Sequence, residues 1–281
     1  MRRTNNRKRN RINLNQINRE TLKTIALIIV LLIVFSFIYF YFIRNIFIKR
    51  NFEKEYTSIS SLNENSPFSL NKIILFSSAT TISNGLNNSV WNQDISQYCD
   101  ICIYLNNSSS DTNDKNTIKQ LYIDTLYIST PELGIPCLYK KSIQDFGKCS
   151  FDDKNIIHDR FDFNVISKNE TINYDNNEIF NNLSTPLSIG FYNKNIKTNF
   201  LNSDTQIEPN GRILKKASIP EASIACNVSF NINIVNMLGE RYICNVNFSI
   251  PFTDENSSIY EDGYIKKEIS NLDNYKFLRI Q

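Results

Sequence analysis

Hydrophobic residues are laid along this chain in two contrasting ways. From Ile25 to Ile43 they run unbroken as IALIIVLLIVFSFIYFYFI, nineteen residues without a charge. As a helix that run spans roughly 28 Å at ~1.5 Å per residue, which matches the hydrocarbon thickness of a bilayer. A buried soluble helix would have to be apolar on every side along its whole length, so the segment reads as a transmembrane helix. Beyond Pro67 the apolar residues alternate with polar ones, Ile, Tyr, Phe and Thr are abundant, and clusters of Asn, Asp and Ser separate the runs. A period of two marks half-buried strands.

The clearest pair of strands is Ile224 to Ile234 and Tyr242 to Phe252. In the first, Ile224, Cys226, Val228, Phe230, Ile232 and Ile234 share one parity; in the second, Tyr242, Cys244, Val246, Phe248, Ile250 and Phe252 do. If both even faces point at one core, opposed residues have an even sum, which excludes a two-residue turn at Leu238-Gly239. A three-residue loop, Met237-Leu238-Gly239, fits, with Gly239 left-handed and Asn236 opposite Glu240. Cys226 then faces Ile250 rather than Cys244.

Further strands are expected at Lys72 to Ile82, Ile95 to Leu105, Ile118 to Ser129, Arg160 to Ile166, Leu187 to Phe191, Ile196 to Phe200, Gln206 to Leu214 and Tyr264 to Glu268. Their close spacing and dry/wet alternation predict an all-β fold, an antiparallel β-sandwich of Ig-like or jelly-roll-like type, with a barrel as the runner-up. The predicted organisation is a basic tail (1–24), a transmembrane signal anchor (25–43), a stalk (44–66) and a β-rich region (67–281). That region forms one sandwich or two, with a boundary near 180 in the polar, acidic stretch between Cys149 and Thr185.

Charge changes the picture more than composition does. Residues 1–50 carry eleven Lys/Arg and one acid, whereas 51–281 carry twenty Lys/Arg and twenty-seven acids, so a formal charge of +3 conceals +10 against −7. Eight basic residues precede the apolar run, from Arg2 to Lys23, and four follow it closely (Arg44, Lys49, Arg50 and Lys54). Positive residues resist translocation, so the tail is expected in the cytoplasm and the body outside it. A cleaved secretory signal is disfavoured because its apolar region is about 7–15 residues and ends in small residues. Nucleic acid is not an expected partner: the basic tail has no interleaved aromatics and a membrane span lies close behind it. With 41 Asn and 41 Ile against seven Gly, a glycine-rich phosphate loop is also excluded.

Side chains capable of chemistry are few. Cys99 and Cys102 form CDIC inside an alternating strand in which Ile95, Cys99, Ile101, Ile103 and Leu105 share a face. The two thiols therefore point to opposite faces, and a zinc knuckle or redox pair needs them convergent. Cys137 and Cys149 flank a loop long enough to close and are the favoured disulfide pair. The one histidine, His158, lies beside Asp159 and near Asp152, Asp153 and Asp162, but lacks the nucleophile a triad requires, so the cluster is read as a solvated loop. Asp111 to Asn116 (DTNDKN) resembles half of a calcium loop, with Lys115 at the fifth position and no following Gly, and reads as a turn. Trp91, Tyr98 and Tyr104 suggest an aromatic platform for sugar or peptide, against the simpler reading of most aromatics as core. No catalytic, cofactor-binding or metal residue is assigned.

The expectation from sequence is a single-pass, membrane-anchored envelope protein, inserted in the lipid bilayer through residues 25–43, whose outer β-sandwich binds, adheres or assembles without catalysis. Its partner would be an envelope protein or polysaccharide. The alternatives are a tethered hydrolase, which needs converging carboxylates or a dyad on His158, and a structural subunit of a multi-protein membrane complex.

Overall fold

A computed structural model of the protein describes residues 19–39, 66–87, 90–107, 114–141, 153–202, 210–272 and 274–280. The chain divides into two compact units, 1–61 and 62–281. In the first, helix α1 spans Arg19–Ile38. It starts before the predicted span because Arg19 to Thr24 hold good helix formers, among them Leu22 and Lys23. Its apolar side chains from Ile25 to Phe35 are exposed all round, with Leu27, Leu32 and Phe35 at 62–65 %. Among the described residues no helix is long and apolar enough to cross a membrane, and residues 40–43 of the predicted span lie outside them.

The second unit is mostly β. Its long strands are β1 (Phe68–Asn87), β2 (Val90–Asn107), β3 (Ile118–Ile128), β8 (Leu187–Asn202), β9 (Asn227–Asn236) and β10 (Arg241–Ser249). Shorter ones are β4 (Ile135–Lys140), β5 (Ile156–Ile157), β6 (Phe161–Ile166), β7 (Glu178–Phe180), β11 (Thr253–Asp254), β12 (Ser257–Ser258), β13 (Tyr264–Ile269) and β14 (Leu278–Ile280). Among the described residues twelve of them form two six-stranded sheets, ordered β13-β1-β2-β8-β4-β5 and β14-β10-β9-β3-β6-β7, and β11 and β12 pair as a separate two-stranded ribbon. Inner-face residues of both, such as Ile73, Ile101, Ile189, Ile123, Phe230 and Val246, belong to one buried core, which is the layering of a β-sandwich. Strands from either side of residue 180 pair in both sheets: β2 with β8, and β3 with β9.

The β9–β10 hairpin has the register the sequence predicts. Arg241 pairs with Val235, Cys244 with Ile232 and Phe248 with Val228. Gly239 takes φ of +81°, the Asn236 amide N–H donates to the Glu240 carbonyl at 3.0 Å, and the Ile250 N–H donates to the Cys226 carbonyl at 3.0 Å.

Elsewhere the structure corrects the predicted elements. Leu187 to Phe191 and Ile196 to Phe200 are one strand, β8, because the polar stretch between them bulges instead of turning. Asn195 and Asn199 sit at φ of +55° and +54°, and the pairing with β2 slips there. Of the strand predicted at Gln206 to Leu214, residues 206–209 lie outside the described set, and Arg212 to Leu214 are helical, in α2 (Arg212–Lys216). The Asn210 side chain accepts from the Arg212 N–H at 3.0 Å, and Ile213, Leu214 and Ala217 turn one face to a second small core with Ile95, Ile196 and Ile259. That core also takes α3 (Ile259–Asp262), which lies so near α2 that a Cβ on Gly211 would stand 2.4 Å from the Ile259 carbonyl oxygen.

Candidate functional site

The face of the first sheet that points away from the core is not a wet face. Strand register sets its side chains in three rows across β13, β1, β2, β8 and β4. The first row reads Tyr264, Ser78, Tyr98, Tyr192, Cys137; the second reads Lys266, Phe76, Asp100, Gly190, Tyr139. In the third, Ile74, Cys102 and Ser188 follow Glu268. Tyr98, Asp100, Cys102, Ser188, Tyr139 and Tyr192 are all buried despite facing outward.

A charged pair lies at the centre. Asp100 and Lys141 form a salt bridge with side chains only 2 % and 1 % exposed. Lys141 comes immediately after β4, and its ammonium lies 5.7 Å and 5.9 Å from the ring centres of Tyr98 and Tyr139. Tyr139 meets Tyr192 edge-on at 6.4 Å. Gly190 makes this packing possible, since a Cβ there would stand 2.0 Å from Cζ of Tyr139. The ring lies across the bare backbone, a close approach only glycine allows.

Beside the pair, toward β13, is an open depression of about 260 Å³ lined by Ile74, Phe76, Asp100, Cys102, Tyr104 and Lys266. Phe76 stacks on Tyr264 with ring centres 5.5 Å apart and planes 22° apart. Lys72 caps Tyr104 at 5.0 Å and sits 4.0 Å from Glu268. Burial pushes the Tyr104 phenol up to about 12, helped by its hydrogen bond with Cys102 and the negative charge of Glu268.

The outer face of the second sheet is mixed: Asn247 and Ser249 of β10 are exposed, whereas Asn231, Asn233 and Tyr122 are buried among polar partners. The Asn245 amide donates to Asn231 at 2.9 Å. Arg160 lies 3.6 Å over the Tyr122 ring, fixed by two hydrogen bonds to Asp162, one of them 2.8 Å. That guanidinium holds the Asp162 carboxyl below its ordinary range.

The residues singled out in the sequence do not gather here as a set. Cys99 is in the central core and Cys102 on the outer face, so CDIC diverges as the alternation requires. Trp91 does not join Tyr98 and Tyr104: β2 pairs with β1 without an inserted residue of its own, which puts the odd-numbered Trp91 on the opposite face, and the rings not buried beside Tyr104 are Phe76 and Tyr264. His158 is exposed; Asp153 pairs with Lys194 and Asp162 with Arg160, so these two acids serve separate cations. Asp152, Cys149 and Asp111 to Asn113 lie outside the described residues, and Asp114–Asn116 is one 3-10 turn. What the sequence reading missed is the Asp100–Lys141 pair. Its signal is that β2 is apolar on both faces from Tyr98 to Leu105, with one acid inserted.

The described cysteines are free and Cys99, Cys102, Cys226 and Cys244 are buried. Burial raises the Cys226 thiol to about 11 and the Cys244 thiol to about 12 from an ordinary 9.0, and holds Cys99 well above it, aided by the Asp100 charge. These thiols, with Tyr104 and Tyr242, are kept neutral by the fold. Their contribution to stability is therefore complete below the unfolded values of 9.0 and 10.0 and is lost as pH climbs toward 12. Native protein at neutral pH is expected to leave Cys99, Cys226 and Cys244 unlabelled by maleimide, and denaturant midpoints are expected to fall above pH 9.0. Rapid labelling of Cys244 in folded protein would contradict this burial.

No protein-family model, curated protein or solved structure matches this chain.

Proposed function

We propose that this chain is a single-pass, membrane-anchored envelope protein whose extracytoplasmic β-sandwich works by binding, through the outer face of its first sheet. The observation that carries the binding role is the open depression beside the buried Asp100–Lys141 pair. Concave apolar sites with a few fixed polar groups are where ligands lodge, and a charge pair removed from water costs stability that an ordinary solvated face would not incur.

The anchor rests on the exposed apolar side chains of α1 and on the uncharged continuation to Ile43. Each large apolar side chain gains about 1.5–3 kcal/mol on leaving water, so a helix apolar on every side is at home in lipid. Basic residues before the run favour a cytoplasmic tail. Of the two windings considered, the jelly-roll-like one is supported by the chain's repeated passage between sheets, from β2 to β3 to β4 and from β7 to β8 to β9.

A photo-crosslinking residue at position 104, in the depression, is expected to capture one discrete envelope component in intact cells, and the same residue at position 247, on the wet face, is expected to capture none. Equal yields from both positions, or none from 104, would remove the binding role from this face.

A further inference from the structure

The depression has the chemistry of one kind of guest. Its walls are two aromatic rings, Phe76 from β1 and Tyr104 from β2, with Ile74 beside them. Those surfaces suit a flat apolar body. The volume, about 260 Å³, lies below the usual range of ~300–1,000 Å³ for drug-sized ligands, so the body is small.

The polar groups are unevenly committed. Asp100, at the inner end, already has Lys141 as its counter-ion. Lys72, above Tyr104, has Glu268 at 4.0 Å. Lys266 lines the depression from the edge strand β13, is exposed, and makes no ion pair among the described residues. Among the described residues its ammonium is the lining charge left to a guest, and a compact cation of that kind pairs with an anion. Lys72 and Glu268 offset each other along the same rim. A cationic guest would meet Lys266 and find Asp100 taken.

We infer that the depression binds a small amphipathic carboxylate, a single ring or similarly flat apolar body carrying one acid group, with the body between Phe76 and Tyr104 and the carboxylate on Lys266. This deepens the binding role assigned to the outer face of the first sheet and rests on it.

The test uses the full chain in detergent micelles and three probes of one shape: 3-(4-fluorophenyl)propanoate, the matching alcohol and the matching amine, each followed by fluorine NMR. The acid is expected to bind at least tenfold more tightly than the alcohol or the amine. Lys266→Glu, on an exposed edge position, is expected to weaken the acid at least tenfold and to narrow or reverse its advantage over the amine. Cys102→Trp, which fills the depression, should abolish binding; if that variant does not fold, Ile74→Trp serves in its place. Equal affinity for acid and amine, an unchanged Lys266→Glu, or no binding by any probe would overturn the carboxylate assignment. That failure is separable from failure of the broader binding role, which is read by crosslinking at position 104 and needs no probe.

Discussion

Replacing Lys141 with alanine is expected to cost the fold about 3–5 kcal/mol, because it strips the counter-ion from an aspartate that remains out of water. Both side chains are at most 2 % exposed, so solvent does not screen the loss. The pair itself is a different matter: two buried charges seldom stabilise more than an apolar pair of the same volume. The double variant Asp100→Leu/Lys141→Met is therefore expected to recover most of the stability that Lys141→Ala loses. Urea denaturation followed by tryptophan fluorescence reads both. A Lys141→Ala protein within 1 kcal/mol of the parent, on the scale usual for surface changes of about 0.5 kcal/mol, would show that the pair is solvated and the site misdescribed.

The second large effect is in the core between the sheets. Phe230 is wholly buried on β9 and meets Phe248 of β10 edge-on, with ring centres 6.2 Å apart and planes at 87°. Phe230→Ala removes the ring and leaves a cavity, with an expected loss of about 3–5 kcal/mol. Asn247 stands next to Phe248 in the chain but on the wet face, and Asn247→Ser is expected to change stability by no more than about 0.5 kcal/mol. Two positions of one hairpin thus differ severalfold in cost because they face opposite ways. Similar losses for both would mean that the hairpin does not have one dry and one wet side.

That hairpin was legible because its alternation is unbroken over Val228 to Ile234 and Tyr242 to Phe248, and because parity and Gly239 together leave only one loop length. Other elements were harder to read for a common reason: local polarity does not distinguish a turn from a bulge. Asn193 to Asn195 look like a loop, yet Asn193 is fully buried and donates to the Leu133 carbonyl at 3.0 Å, so β8 continues through them. β4 was hidden by Pro136 and by its brevity, and Ile213-Leu214 gave no periodicity long enough to separate helix from strand. The candidate site was the least legible part. Asp100 and Lys141 are forty-one residues apart, and only the β2–β8–β4 pairing brings them together. Sequence could show that β2 is apolar on both faces from Tyr98 to Leu105, not which distant cation neutralises the acid inserted there.

The claim on which the rest depends is that residues 25–43 hold the chain in a membrane with the β-sandwich on the far side. A reporter enzyme active only outside the cytoplasm, fused after Gln281 in the full chain, tests it most directly. The account predicts reporter activity in intact cells, with the β-sandwich degraded by external protease and the tail before Lys23 protected. A silent reporter, together with a β-sandwich that resists external protease until the cells are lysed, would contradict it.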